Sequence, residues 1–268
     1  TPGSTPGDGP QRRPAVQQQA MRPAYVQSPP PEQSRGVGFV RGFLLVLGDL
    51  LITIGLVLLL YVVWQLWWTT VEVQGGMSER IVEFQDMHPA VETVTEERRT
   101  DDPPTVGEVA YGEVFGVLHV PKWEWMEIPI VQGTTPEILD LGNAGHYVDT
   151  QMPGEIGNFA LAGHRRTYGN NFRRVDILYA GDPIVVETAD AWMVYEVTDS
   201  AIVWPHQTEV LLPTPNELGV APTKRIMTMT TCHPEFGNSE RFIVWSEMMY
   251  WVPKDAGVPK VLSKEASQ

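Results

Sequence analysis

The sequence predicts an all-β domain of short strands with short helices, carried behind one transmembrane helix. Three observations lead there. From Val106 to Trp251, short β-branched runs alternate with Gly, Pro and polar turns, the pattern of a sandwich or closed barrel. Phe43 to Trp68 is almost wholly apolar, longer than the roughly 20 residues that a bilayer span requires. Ahead of it, Thr1 to Arg35 is rich in Pro, Gly, Gln and Ser, a composition that cannot offset the entropy lost on ordering.

In chain order, residues 1–38 read as a disordered tail and 39–68 as the membrane anchor. Trp64, Trp67 and Trp68 close the anchor as an aromatic belt. A cleaved signal peptide is disfavoured, because no small-residue cleavage site follows the long apolar run. Arg12, Arg13, Arg22, Arg35 and Arg41 precede the apolar run that starts at Phe43, which places the N-terminus in the cytoplasm and the body outside the plasma membrane. Residues 69–105 are polar and acidic and read as a stalk, with a short helix capped by Ser78.

The folded domain is expected over 106–252. Strands are read at Val114–Val120, Ile128–Val131, Asn158–Ala162, Ile184–Thr188, Trp192–Val197, Arg225–Thr231 and Arg241–Trp245. Thr135-Pro136 followed by Gly142 marks a short helix with cap, first turn and stop. Arg173–Leu178 reads as another short helix, and 253–268 as a loose tail.

Of the net charge of −14, residues 64–268 carry −16. Nucleic acid requires a basic footprint, so it is excluded as a partner. Cys232 is the single cysteine, and a lone cysteine is a buried hydrophobe, an intermolecular bridge or a reactive thiol. The scattered histidines have no metal-ligand spacing, and neither a Gly-x-Ser-x-Gly elbow nor a phosphate loop occurs. No cofactor or metal is therefore expected. His119 in mid-strand reads as structural, His206 has no assignable role, and His146 is a candidate for lining a groove.

Cys232 closes one predicted strand, Arg241 opens the next, and His164 follows a third. A thiol nucleophile needs a base or ion-pair partner and gains from fixed positive charge nearby. Thr228-Met229-Thr230-Thr231-Cys232, with Met229 in a Leu position, resembles the sortase signature Thr-Leu-x-Thr-Cys. Ala162-Gly163-His164 and Arg241 resemble that family's histidine and arginine segments. Leu161–Arg165 together with Thr231-Cys232-His233-Pro234 is most similar to class E sortases, and the resemblance covers roughly Gly107 to Trp251. It implies an eight-stranded barrel. It also implies cysteine transpeptidation of a Leu-Ala-x-Thr-Gly-type signal, cut between Thr and Gly through a Cys232 thioester.

In that reading His164 moves protons and Arg241 steadies the oxyanion. Tyr147 reads the Ala position, and Thr231 adds a hydroxyl contact. The implied partners are exported proteins with a C-terminal sorting signal, and a lipid-linked cell-wall precursor whose peptide amine accepts the acyl group. Pilus-building sortases carry an Asp-Pro-aromatic lid. Here Asp102-Pro103 is followed by Pro104, which argues against a lid anchored in the site. The alternatives are a papain-like wall peptidase and a non-catalytic membrane-anchored module. The papain-like order, with Cys at a helix N-terminus ahead of His, is the reverse of this one.

Overall fold

The apolar run becomes one long helix, α1 (Arg35–Met87). The computed structural model describes residues 35–124 and 126–263, with the side chains of 35–37 and 65–71 left aside. Of the tail expected over residues 1–38, positions 1–34 lie outside what is described and 35–38 begin α1; the side chains of the belt residues Trp67 and Trp68 and the last five residues are likewise outside it. The chain divides into two units, 1–56 and 57–268. Gly38–Trp64 has a mean hydropathy of 2.7 with none of it buried, long and apolar enough to cross a membrane. In the first unit, Thr53 Oγ1 donates to the Asp49 carbonyl one turn back, at 2.7 Å.

Within the second unit the expected Ser78 cap does not form. Ser78 lies inside α1, where its hydroxyl back-bonds to the Gln74 carbonyl at 3.0 Å. The stretch expected as a stalk is instead held by apolar contacts. Met77, Ile81 and Phe84, spaced three and four apart, bury one face of α1, with Ile81 and Phe84 packing against Val117. This is the i, i+3, i+4 stripe of a packed helix.

Among the described residues ten strands follow: β1 (Val94–Thr95), β2 (Val114–Val120), β3 (Met126–Gln132), β4 (Ala144–His146), β5 (Gly157–Ala162), β6 (Pro183–Glu187), β7 (Ala191–Val203), β8 (Arg225–His233), β9 (Glu240–Pro253) and β10 (Val258–Pro259). Eight of them close a barrel in the order β2-β3-β4-β5-β8-β9-β7-β6, with β6 returning to β2. Closure removes the sheet edges. It also lets alternate residues such as Leu118, Ile128, Ile130, Leu161, Met227 and Met229 share one core.

The short helix α2 (Pro136–Leu139) forms where Thr135, Pro136 and Gly142 predict it, and Gly142 adopts φ +82°. The second expected helix shrinks to a 3-10 turn at Val175–Ile177. The C-terminal segment is not loose as far as Ser263. β10 pairs with β1, and Val258, Val261 and Leu262 cover Val185, Trp192 and Val252 on the outside of the barrel. The lid position is equally clear. Asp102 ion-pairs with Arg225 at the start of β8, and Cys232 lies seven residues further along that strand. At ~3.3 Å per residue this is roughly 23 Å away.

Candidate active site

The barrel topology brings His164, Cys232 and Arg241 to one end. β5 and β8 run parallel, with Ala162 opposite Thr230, so both strands finish on the same rim. β9 runs antiparallel to β8 and begins there, with Arg241 directly opposite Cys232. Directly opposed residues place their Cβ atoms roughly 4.5–5.5 Å apart.

The chain continues the ladder one step past β5. The Gly163 amide donates to the Thr230 carbonyl at 3.1 Å, and Thr231 Oγ1 donates to the Gly163 carbonyl at 2.7 Å. His164 is thereby anchored beside the segment that presents Cys232. Gly163 is required by close approach: a Cβ there would lie 2.9 Å from the buried ring of Phe172.

Cys232 is partly exposed. By strand alternation it shares a face with Thr228 and Thr230, while Met227 and Met229 point into the core. On that outer face the Tyr147 hydroxyl meets Thr230 Oγ1 at 3.0 Å. Tyr147 also lines a cavity of about 340 Å³ with Thr134, Leu211, Leu212 and Pro213.

Thr231 departs from expectation. It is buried, and its hydroxyl is committed to the Gly163 carbonyl, so it ties β8 to the His164 segment instead of facing outward. His146 departs too. It is fully buried, within hydrogen-bonding distance of Gln132 Oε1 (2.6 Å) and the Gln151 carbonyl (3.0 Å). Burial pushes its pKa down to about 4, so it is a neutral packing residue and lines no groove. His119 is structural as expected, with Nε2 2.8 Å from Glu187 Oε2.

His233 is engaged on both sides. Its Nδ1 accepts from Arg165 Nη1 at 3.0 Å, because a guanidinium only donates, and Nε2 lies 4.0 Å from Glu240 Oε2. The loop after His164 also grips the loop after Cys232. Arg166 and Arg173 both reach Glu235, at 3.1 and 3.5 Å. Arg241 Nη1 donates to the carbonyls of Asn238 and Glu240 at 2.9 and 2.8 Å, which orients the guanidinium at the rim.

One site residue had no sequence signal. Asp140, just past the C-terminus of α2, places Oδ1 2.7 Å from His164 Nε2. The Tyr168 ring covers the same imidazole, with centroids 5.2 Å apart. An acidic residue 24 positions before the histidine, at a helix end, belongs to no local pattern.

A sortase-domain family model matches residues 118–249. Sortase SrtE1 of Streptomyces coelicolor is 37% identical over 223 residues, covering 81% of this chain and 60% of that protein's length. Sortase SrtE2 of the same organism is 37% identical over 218 residues, covering 76% of this chain and 81% of that protein. A solved SrtA sortase from Actinomyces oris superposes with a TM-score of 0.60 at 48% identity, covering 62% of this chain and 96% of that one. The closed eight-stranded barrel and these relatives agree, and the chain belongs to the sortase family of cysteine transpeptidases, as a member of its class E.

Proposed function

We propose that this chain is a membrane-anchored transpeptidase acting through Cys232, His164 and Arg241. Its substrate is a Leu-Ala-x-Thr-Gly-type signal. The Cys232 thiolate attacks the Thr carbonyl, forming a C–S bond. The C–N bond to Gly then breaks as protonated His164 gives its proton to the leaving amine. A cell-wall peptide amine on a lipid-linked precursor next attacks the thioester, passes a proton to His164 and releases the thiolate. Arg241 supplies fixed positive charge to the oxyanion of each tetrahedral intermediate. The signal's apolar residues lie in the cavity beside Tyr147.

The observation that carries this reading is the register placing Arg241 opposite Cys232, with Gly163 bonded to the two residues before Cys232. The Gly38–Trp64 helix is the anchor, with the N-terminus cytoplasmic and the barrel outside the plasma membrane. Holding enzyme, exported substrate and lipid-linked acceptor at one surface raises their effective concentrations.

The test is intact-mass detection of an acyl adduct after incubation with a Leu-Ala-x-Thr-Gly peptide. The adduct should gain the mass of the fragment ending in Thr, disappear on adding a glycyl amine, and be absent in Cys232→Ala. An adduct that resolves only with water, never with the amine, overturns the transpeptidase reading in favour of a peptidase. Absence of any adduct favours a non-catalytic module.

A further inference from the structure

We propose that Asp140 is the positioning residue for His164, fixing which ring nitrogen exchanges protons with substrate. This rests on the role of His164 just described. An ionised carboxylate only accepts hydrogen bonds. The 2.7 Å contact with Asp140 Oδ1 therefore keeps a proton on His164 Nε2, and the neutral ring presents its lone pair at Nδ1. Nδ1 is then the atom that receives the proton of the incoming amine and, in the protonated ring, gives one to the leaving amine. The same logic operates where a buried carboxylate holds a catalytic imidazole in one tautomer and orientation.

The turn that carries the carboxylate is itself held in place. The Asp140 amide donates to the Pro136 carbonyl at 2.8 Å, and the Gly142 amide to Leu139 at 2.9 Å. Asn143, buried, donates to the Ile138 carbonyl at 2.9 Å. From α1, Arg80 donates to the Leu141 carbonyl at 2.6 Å and to Asn143 Oδ1 at 3.2 Å. Asn171 donates to the Gly142 carbonyl from the loop that follows His164. The turn carrying Asp140 is thus tied to α2, to α1 and to the His164 loop. Tyr168 fixes the tilt of the imidazole from its face.

The experiment compares the full chain with Asp140→Ala, Asp140→Asn and His164→Ala in detergent micelles, using a Leu-Ala-x-Thr-Gly peptide and a glycyl amine. Asp140→Ala should lower kcat roughly 10- to 100-fold, by analogy with removal of the carboxylate behind a metal-ligating histidine. KM should stay within twofold and the melting temperature unchanged. Asp140→Asn keeps an acceptor at the same place and should recover part of kcat. Three outcomes overturn the proposal: kcat of Asp140→Ala within twofold of the parent, a loss that appears mainly in KM, or a loss that tracks a lower melting temperature with no recovery in Asp140→Asn. If the parent chain forms no product at all, the transpeptidase reading fails and takes this one with it. If the parent is active, His164→Ala is not and Asp140→Ala behaves as the parent, only the role of Asp140 falls.

Discussion

Replacing Glu187 by Gln should cost the domain a large part of its stability. Glu187 is 1% exposed and joins four elements. Oε1 lies 2.7 Å from Lys254 Nζ, Oε2 lies 2.8 Å from His119 Nε2, and Gln85 of α1 donates to Oε2 at 3.1 Å. Lys254, 4% exposed, also donates to the His88 carbonyl and stands over the rings of Phe84 and Trp192. Gln at 187 leaves the ammonium without a counter-ion in an aromatic enclosure. Removing one partner of a buried pair costs about 3–5 kcal/mol. For a domain of this size each kcal/mol is worth about 2–4 °C, so the melting temperature should fall by roughly 6–20 °C.

The pH dependence carries a signed expectation. Burial raises the Glu187 pKa, but hydrogen bonds and charge from His119 and Lys254 outweigh it and hold the carboxyl below its ordinary 4.5. Its contribution is present above pH 4.5 and is lost as pH falls through the depressed value. Burial lowers the His119 pKa, but Glu127 and Glu187 outweigh it and hold the imidazole above 6.5. Its contribution is complete below pH 6.5 and is lost as pH rises through the raised value. The parent chain should therefore melt highest between about pH 4.5 and 6.5 as far as this network decides, and Glu187→Gln should flatten both arms. Thermal unfolding of the full chain in micelles across pH 4–9 reads both effects. Lys254→Met with Glu187→Gln should lose less than the sum of the singles, because neither charge is then left alone. A melting temperature within 2 °C of the parent for Glu187→Gln, or strict additivity in the double variant, would refute the reasoning.

Three further outcomes follow from particular contacts. Gly163→Ala drives a methyl toward the Phe172 ring and should cost about 1–3 kcal/mol by overpacking. It should also displace the adjoining His164, lowering kcat/KM by at least roughly tenfold (misplaced catalytic groups lose more than packing alone predicts), as read from melting curves and peptide turnover. Tyr147→Phe removes the hydroxyl that meets Thr230 Oγ1 but keeps the ring in the cavity. A change of about 1 kcal/mol, the worth of one hydrogen bond, should raise KM roughly fivefold with kcat near that of the parent. His146, with a pKa lowered to about 4 by burial, stays neutral in the folded chain where the unfolded chain protonates. Stability should fall as pH drops from 6.5 toward 4, and a His146→Gln variant, compared by denaturant unfolding at pH 4.5 and 7.5, should lose that slope.

The legible parts of this protein are those in which neighbouring residues suffice. Thr135-Pro136 with Gly142 marks α2, because first-turn and stop preferences act within a few residues, even though the Thr135 hydroxyl makes no cap bond. The β-branched run into Cys232, ended by His233-Pro234, announced β8 in the same way. Ser78 carries a cap signal that the longer helix running through it overrides. The packing of the expected stalk and tail has no local signal, because the apolar partners of Met77, Ile81, Phe84 and Val258 lie far along the chain.

The sequence by itself determined the membrane-length helix, the strand-rich domain and the three chemically unlike side chains at strand ends, since length, periodicity and punctuation are properties of contiguous residues. Only the tertiary structure decided that Thr231 turns inward to bind Gly163, that His146 is sealed in the core, and that Asp140 meets His164. Those outcomes depend on strand register and barrel closure, which bring together groups tens of residues apart and leave no trace in local pattern.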